Sequence, residues 1–152
     1  MRPSPVSEFD IRLREVRVVS IHFQVLQRPG SEFDTNVTFD IKPSSLGAQT
    51  DTSFEVLLTL KIGFSSSRRK APPFDAEFAM CGLYEHKRGL PADLREYFVN
   101  INGPIMLWPY MRELVTSITT RAGYPPLVLT TLDVAKLTAA SGLGEAERQR
   151  QR

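Results

Sequence analysis

Phe54-Glu55-Val56-Leu57-Leu58-Thr59-Leu60-Lys61-Ile62-Gly63-Phe64 is the stretch on which the fold turns: every even position is apolar. Successive side chains of a strand point to opposite faces, so this alternation predicts a long strand with one buried face. On its C-terminal side, Ser65-Ser66-Ser67-Arg68-Arg69-Lys70 suits a hairpin loop, with the charges at a wet tip. Beyond it, Phe74-Asp75-Ala76-Glu77-Phe78-Ala79-Met80-Cys81-Gly82-Leu83-Tyr84-Glu85 predicts a partner strand of similar length. Working back toward the N-terminus, Asn36-Val37-Thr38-Phe39-Asp40-Ile41-Lys42 alternates with Val37, Phe39 and Ile41 on one face, and Pro43-Ser44-Ser45 stops it. Val16 to Val25 is rich in β-branched residues, with Val19, Ile21, Phe23 and Val25 recurring at period two. Gln27-Arg28-Pro29-Gly30-Ser31 punctuates the two. Four strands in succession with short connections predict an antiparallel sheet with one solvated face.

The period then changes. Pro91 to Phe98 predicts a short helix with Pro at its first position, and Gly103-Pro104 reads as an interruption. Pro109 to Ala122 predicts the main helix, because a residue before proline such as Trp108 is pushed away from helical angles. Leu107, Met111, Leu114, Val115 and Ile118 form its apolar stripe. Gly123 caps it and Pro125-Pro126 forbids continuation. Leu127-Val128-Leu129 is an apolar stretch outside any amphipathic pattern, and Asp133 predicts the N-cap of a last helix from Val134 to about Ser141. Strands followed by helices give the α+β class: a four-stranded antiparallel sheet, a long helix and a short C-terminal helix.

A chain of 152 residues, 41% hydrophobic and 24% charged, suits one compact domain. Residues 1–11 read as a mobile N-terminal arm, 12–141 as the folded domain and 142–152 as a polar C-terminal tail. The N-terminus lacks the apolar core of a signal peptide, and no apolar run reaches the roughly 18–20 residues needed to cross a bilayer. A cytoplasmic protein without membrane insertion is expected.

Chemistry is hard to find. Phosphate loops, dinucleotide turns and nucleophile elbows are absent, so neither catalysis nor a nucleotide cofactor is expected. His22 and His86 are the only histidines and neither has a ligand partner at i+3 or i+4, so no metal is expected. Cys81, the only cysteine, lies among apolar neighbours and reads as a buried, inert thiol. A formal net charge of +2, from 19 Lys and Arg against 17 Asp and Glu, argues neither for nor strongly against an acidic partner, but Arg68-Arg69-Lys70 and the tail arginines would give only weak, salt-sensitive phosphate contacts, so no nucleic-acid partner is expected.

The string from Trp108 to Leu129 carries a resemblance. An aromatic-Pro-Tyr-x-Arg-Glu helix start, Trp108 to Glu113, and an ending with aromatic-Pro-x-Leu after it, Arg121 to Leu127, together resemble the SecB family. Ile21-His22-Phe23 and Gly82-Leu83-Tyr84 add weaker support. The resemblance covers about residues 12–141. It implies an ATP-independent chaperone that holds unfolded preproteins for export, assembled as a homo-oligomeric dimer of dimers with its long helices between eight-stranded sheets. The client grooves would lie between the loop crossing from the first to the second strand and the loop joining the helices. Here these loops are Gln27–Asn36, with Phe33, and Gly123–Leu132, with Tyr124, Leu127, Leu129 and Leu132. Met111, Leu114, Val115 and Ile118 become candidates for the oligomer interface. The residues themselves leave a second reading open, in which Leu127–Leu129 simply packs in the core.

The chain departs from the family in charge. Export members are usually acidic with an acidic tail, whereas this chain ends in arginines. Carboxylates that help dock the translocase ATPase SecA are matched by uncharged Ser20 and Gln24, leaving Glu77. Losing those charges removes electrostatic steering toward SecA. The alternative is a SecB-like chaperone dedicated to an antitoxin of a toxin–antitoxin pair, which needs the groove but not that surface.

Overall fold

A computed structural model describes residues 9–30, 36–47, 49–65 and 71–141. Phe33, the Arg68-Arg69-Lys70 tip, most of the expected N-terminal arm and the C-terminal tail lie outside them. The strands are β1 (Arg12–Val25), β2 (Asn36–Leu46), β3 (Ser53–Ser65) and β4 (Phe74–Glu85). They form one antiparallel sheet in the order β1-β4-β3-β2, so β2-β3-β4 is a meander and β1 returns beside β4 in a Greek-key arrangement. Helix α1 (Ala92–Tyr97) runs through a π turn (Phe98–Asn102) into α2 (Gly103–Arg121), and α3 (Val134–Ser141) ends the described chain.

β2 runs on to Leu46, so Pro43-Ser44-Ser45 does not stop it as expected, and two further local features differ from the sequence expectation. The first lies in β1, where register shifts between Leu13 and Glu15 and between Val18 and Ser20 each leave one residue out of the ladder. Val19 therefore falls between pairs, and the residues opposite the inward face of β4 are Leu13, Val16, Val18, Ile21, Phe23 and Val25. The second is the helix start. Gly103-Pro104 does not break the helix, and Pro109 sits inside α2. Proline lacks an N–H and crowds the carbonyl four residues back. The π turn relieves this at Pro104 because the Gly103 N–H reaches five residues back to the Phe98 carbonyl. Pro109 is tolerated on the exposed side of α2.

α2 packs over β3 and β4. The even positions of β3, Phe54 to Ile62, meet Leu107, Met111 and Val115 in one core. An aromatic cluster seals one end: the Phe54 and Tyr84 rings stack at 5.5 Å and Phe98 meets Tyr84 edge-on at 4.9 Å. The Tyr84 hydroxyl donates to the Gly103 carbonyl at 3.1 Å, and burial pushes its pKa well above the usual phenol range. Phe74 seals the other end, 4.7 Å from Phe23 and 5.1 Å from Tyr124. Cys81 is buried, and desolvation foremost raises the pKa of its thiol.

At Gly82 helix and sheet pack closely. A Cβ placed there would lie 2.9 Å from Leu107 Cδ2, 2.9 Å from Tyr84 Cε2 and 3.1 Å from Leu13 Cδ1. Gly82→Val is expected to push α2 off β4 and destabilise the fold by about 1–3 kcal/mol, the usual cost of overpacking. A urea midpoint unchanged from wild type would refute it.

Candidate functional site

The linker from α2 to α3 is pinned residue by residue. Gly123 turns the chain out of α2 at φ +89°, a left-handed conformation that glycine adopts without strain. The Tyr124 hydroxyl sits 2.7 Å from the Gln27 carbonyl and 2.8 Å from the Pro73 carbonyl, which share its single proton. Thr116 Oγ1 donates to the Leu127 carbonyl at 3.0 Å, and the Leu127 N–H donates to Thr119 Oγ1 at 3.1 Å. Trp108 Nε1 donates to the Thr130 carbonyl at 2.8 Å. Asp133 Oδ1 then accepts the Ala135 N–H at 3.0 Å and caps α3 as expected.

These pins decide which linker side chains reach water. Leu129 is 0% exposed and Tyr124 6%, both in the core, while Leu127 and Leu132 are half-buried against it. Val128, between them, is 60% exposed. The expectation that Leu129 and Tyr124 are open to a client is therefore corrected: hydrogen bonds from α2 turn Leu129 inward, and the Tyr124 phenol is anchored on two carbonyls. For Leu129 the core reading holds. Val128 is the linker side chain that the sequence reading passed over. Its signal was present, since an extended segment whose neighbours point inward must turn the residue between them outward.

The stripe expected at an oligomer interface also faces inward. Met111 and Val115 are fully buried against the chain's own sheet, and Leu114 and Ile118 pack partly on the same core. An amphipathic stripe reports that a helix has an apolar face, not whose surface covers it. The apolar groups left at the surface lie elsewhere. Val18, Ile21 and Val25 pair with Met80, Phe78 and Phe74 and so share their inward side of the sheet, yet they are 45–46% exposed. α2 packs chiefly over β3 and β4. A hollow of about 560 Å³ between Leu13, Val16, Met106 and Tyr110 continues this strip onto α2. On the outward face of α2, a shallow groove of about 640 Å³ runs between Val128, Pro109, Thr116, Thr120 and the charged Arg112, Glu113 and Arg121.

The far face of the sheet sets charged residues around Leu57, Ala79, Cys81 and Leu83. His22 Nε2 lies 3.1 Å from Asp75 Oδ2, and Arg17 pairs with Glu55 at 2.7 Å. Exposed Glu77 stands in register with His22 on one side and Lys61 on the other. Ser20 and Gln24 occupy neighbouring positions of β1, opposite Ala79 and Asp75. Among the described residues no three His, Cys, Asp or Glu side chains are grouped to hold a metal. None of the described helices is long and apolar enough to cross a membrane.

The fold and these surfaces define an α+β chain that leaves apolar side chains open along one sheet edge, on α2 and on the linker. The chain belongs to the SecB family. The model of that family, preprotein translocase subunit SecB, matches residues 14–142. A protein-export protein SecB from Afipia carboxidovorans is 32% identical over 126 residues, covering 83% of this chain and 74% of that one. The SecB of Ruegeria pomeroyi is 29% identical over 123 residues, covering 80% and 74%. Among solved structures, the SecB-like chaperone of Mycobacterium tuberculosis, determined with a ChAD peptide from the HigA1 antitoxin, shares the fold. Its TM-score is 0.66 at 19% identity, with 84% of this chain and 93% of that chain covered.

Proposed function

We propose that this chain is a non-catalytic, ATP-independent holdase that binds unfolded polypeptides in the cytoplasm on behalf of protein export. The observation that carries the reading is the set of apolar side chains left in water: Val18, Ile21, Val25 and Leu26 along one sheet edge, and Val128 on the linker. A soluble monomer gains nothing from such exposure, and surfaces of this kind mark places where other chains bind. One apolar client side chain buried there gives about 1.5–3 kcal/mol, so several along a groove give useful affinity without a sequence code.

Two occupants divide this surface. The open edge of β1 suits a second copy of the chain, and a dimer of dimers follows if the exposed faces of two such pairs also meet. β1 contains no proline, whereas β2, the other edge, carries Pro43, which cannot donate to a further strand. Val128 and the crossover loop next to Tyr124 suit the client. The alternative role, service to an antitoxin, gains weight from the sheet's far face. Glu77 has His22 and Lys61 beside it, and Ser20 and Gln24 are uncharged, so that face offers little acidic steering to SecA.

The test is to dilute a chemically unfolded client into buffer with the purified chain and follow light scattering. Scattering is expected to fall toward zero at a stoichiometric ratio and to be indifferent to ATP. Aggregation at the uninhibited rate would overturn the proposal.

A further inference from the structure

On the far face of the sheet, one row of the ladder crosses all four strands: His22, Glu77, Lys61 and Asp40, each exposed. The outer two have partners within the chain. His22 Nε2 lies 3.1 Å from Asp75 Oδ2, and Lys42 Nζ lies 3.4 Å from Asp40 Oδ2. Glu77 and Lys61, at the centre, stand opposite each other in register, yet neither forms an ion pair among the described residues. The next two rows are uncharged at their centre, with Thr59 opposite Ala79 and Leu57 opposite Cys81.

This pattern is complementary to itself. A two-fold axis parallel to the strands, above the line between β3 and β4, turns a second copy over so that its β4 lies on β3 and its β3 on β4. Rows stay level under that rotation. Lys61 of each copy then meets Glu77 of the other, Thr59 meets Ala79, and Leu57 meets Cys81. One row further, Glu55 would meet Leu83, but Glu55 is already paired with Arg17 at 2.7 Å, so that row adds nothing. Twisted sheets stacked face to face cross at about 30°, which confines the match to this centre.

We propose that the centre of the far face is a contact between two copies of this chain, held by the reciprocal Lys61–Glu77 pairs around Leu57, Thr59, Ala79 and Cys81. It lies apart from the β1 edge, so both can be occupied at once. Ala79 is 8% exposed and Cys81 0% within the single chain, so little apolar surface is gained. The attraction is therefore mainly between exposed charges, and the contact is weak and sensitive to salt.

Sedimentation velocity of the full chain across ionic strength tests this. Further association is expected at about 0.01 M salt, where charges act over about 30 Å, and its loss near 1 M, where the reach is about 3 Å. Lys61→Glu and Glu77→Lys each set two like-charge pairs in the contact, because a two-fold axis uses every residue twice. Each should weaken the low-salt association by about tenfold or more. The two substitutions move the net charge in opposite directions, so a loss common to both does not come from overall charge. The double exchange, Lys61→Glu with Glu77→Lys, should restore wild-type association, and circular dichroism should match wild type in all three. A wild-type mass that does not change with salt, a single reversal without effect, or a double exchange that stays dissociated would overturn the inference.

Discussion

Val128→Asp is expected to abolish most client holding while the protein stays folded, and Leu129→Asp, one residue away, is expected to unfold it. Val128 is 60% exposed, so a carboxylate there stays hydrated and stability should move by no more than about 0.5 kcal/mol. A client segment covering that carboxylate would have to strip its water, a desolvation cost added to the lost valine contact. Affinity should fall at least about tenfold. Leu129 is 0% exposed and packs in the main core, where a carboxylate has no described cation to meet. Burying it should cost roughly 4 kcal/mol or more, a large share of the 5–15 kcal/mol that holds an ordinary domain together. Urea unfolding and light scattering on the two variants check both halves. Equal loss of stability in the two, or full holding by Val128→Asp, would show the linker to be placed otherwise.

That contrast also marks where the sequence stopped being informative. The apolar even positions of Phe54 to Ile62, the inward stripe of Leu107, Met111 and Val115, and the Asp133 cap were all legible, because period and capping are local properties. The stripe's partner was not legible, since periodicity gives a face but no neighbour. Pro109 looked like a helix start because the residue before a proline is pushed away from helical angles, yet Trp108 lies inside α2, which the five-residue step to the Phe98 carbonyl carries past Gly103-Pro104. Val19 looked inward-facing because a bulge leaves no mark on a pattern of β-branched residues. The linker was hardest of all. The burial of Leu129 depends on Trp108, Thr116 and Thr119 reaching across from the helix, and Tyr124 on carbonyls at residues 27 and 73. None of these partners is signalled by anything within the loop.

The proposed pairing of two copies through the β1 edge predicts that Ile21→Lys lowers the mass to that of a single chain and leaves the chain folded. Ile21 pairs with Phe78 on the inward side of the sheet, and about half of it is open to water. In a lone protomer a lysine there can extend its stem along the strand and keep its ammonium hydrated, so the fold loses little. Across a contact through the β1 edge the ammonium would be trapped among apolar side chains. Taking such a charge out of water without a partner costs several kcal/mol, enough to raise the dissociation constant by about a hundredfold. Thr38→Lys on β2, the edge that also carries Pro43, is the control and should leave the mass unchanged. Light scattering after size-exclusion chromatography distinguishes the outcomes. A wild-type chain at protomer mass throughout would remove the assembly, and an Ile21→Lys variant with wild-type mass would move the contact away from β1. In that second case the helix face bearing Met106 and Tyr110 becomes the surface between copies, and the strip along β1 is left free for the client.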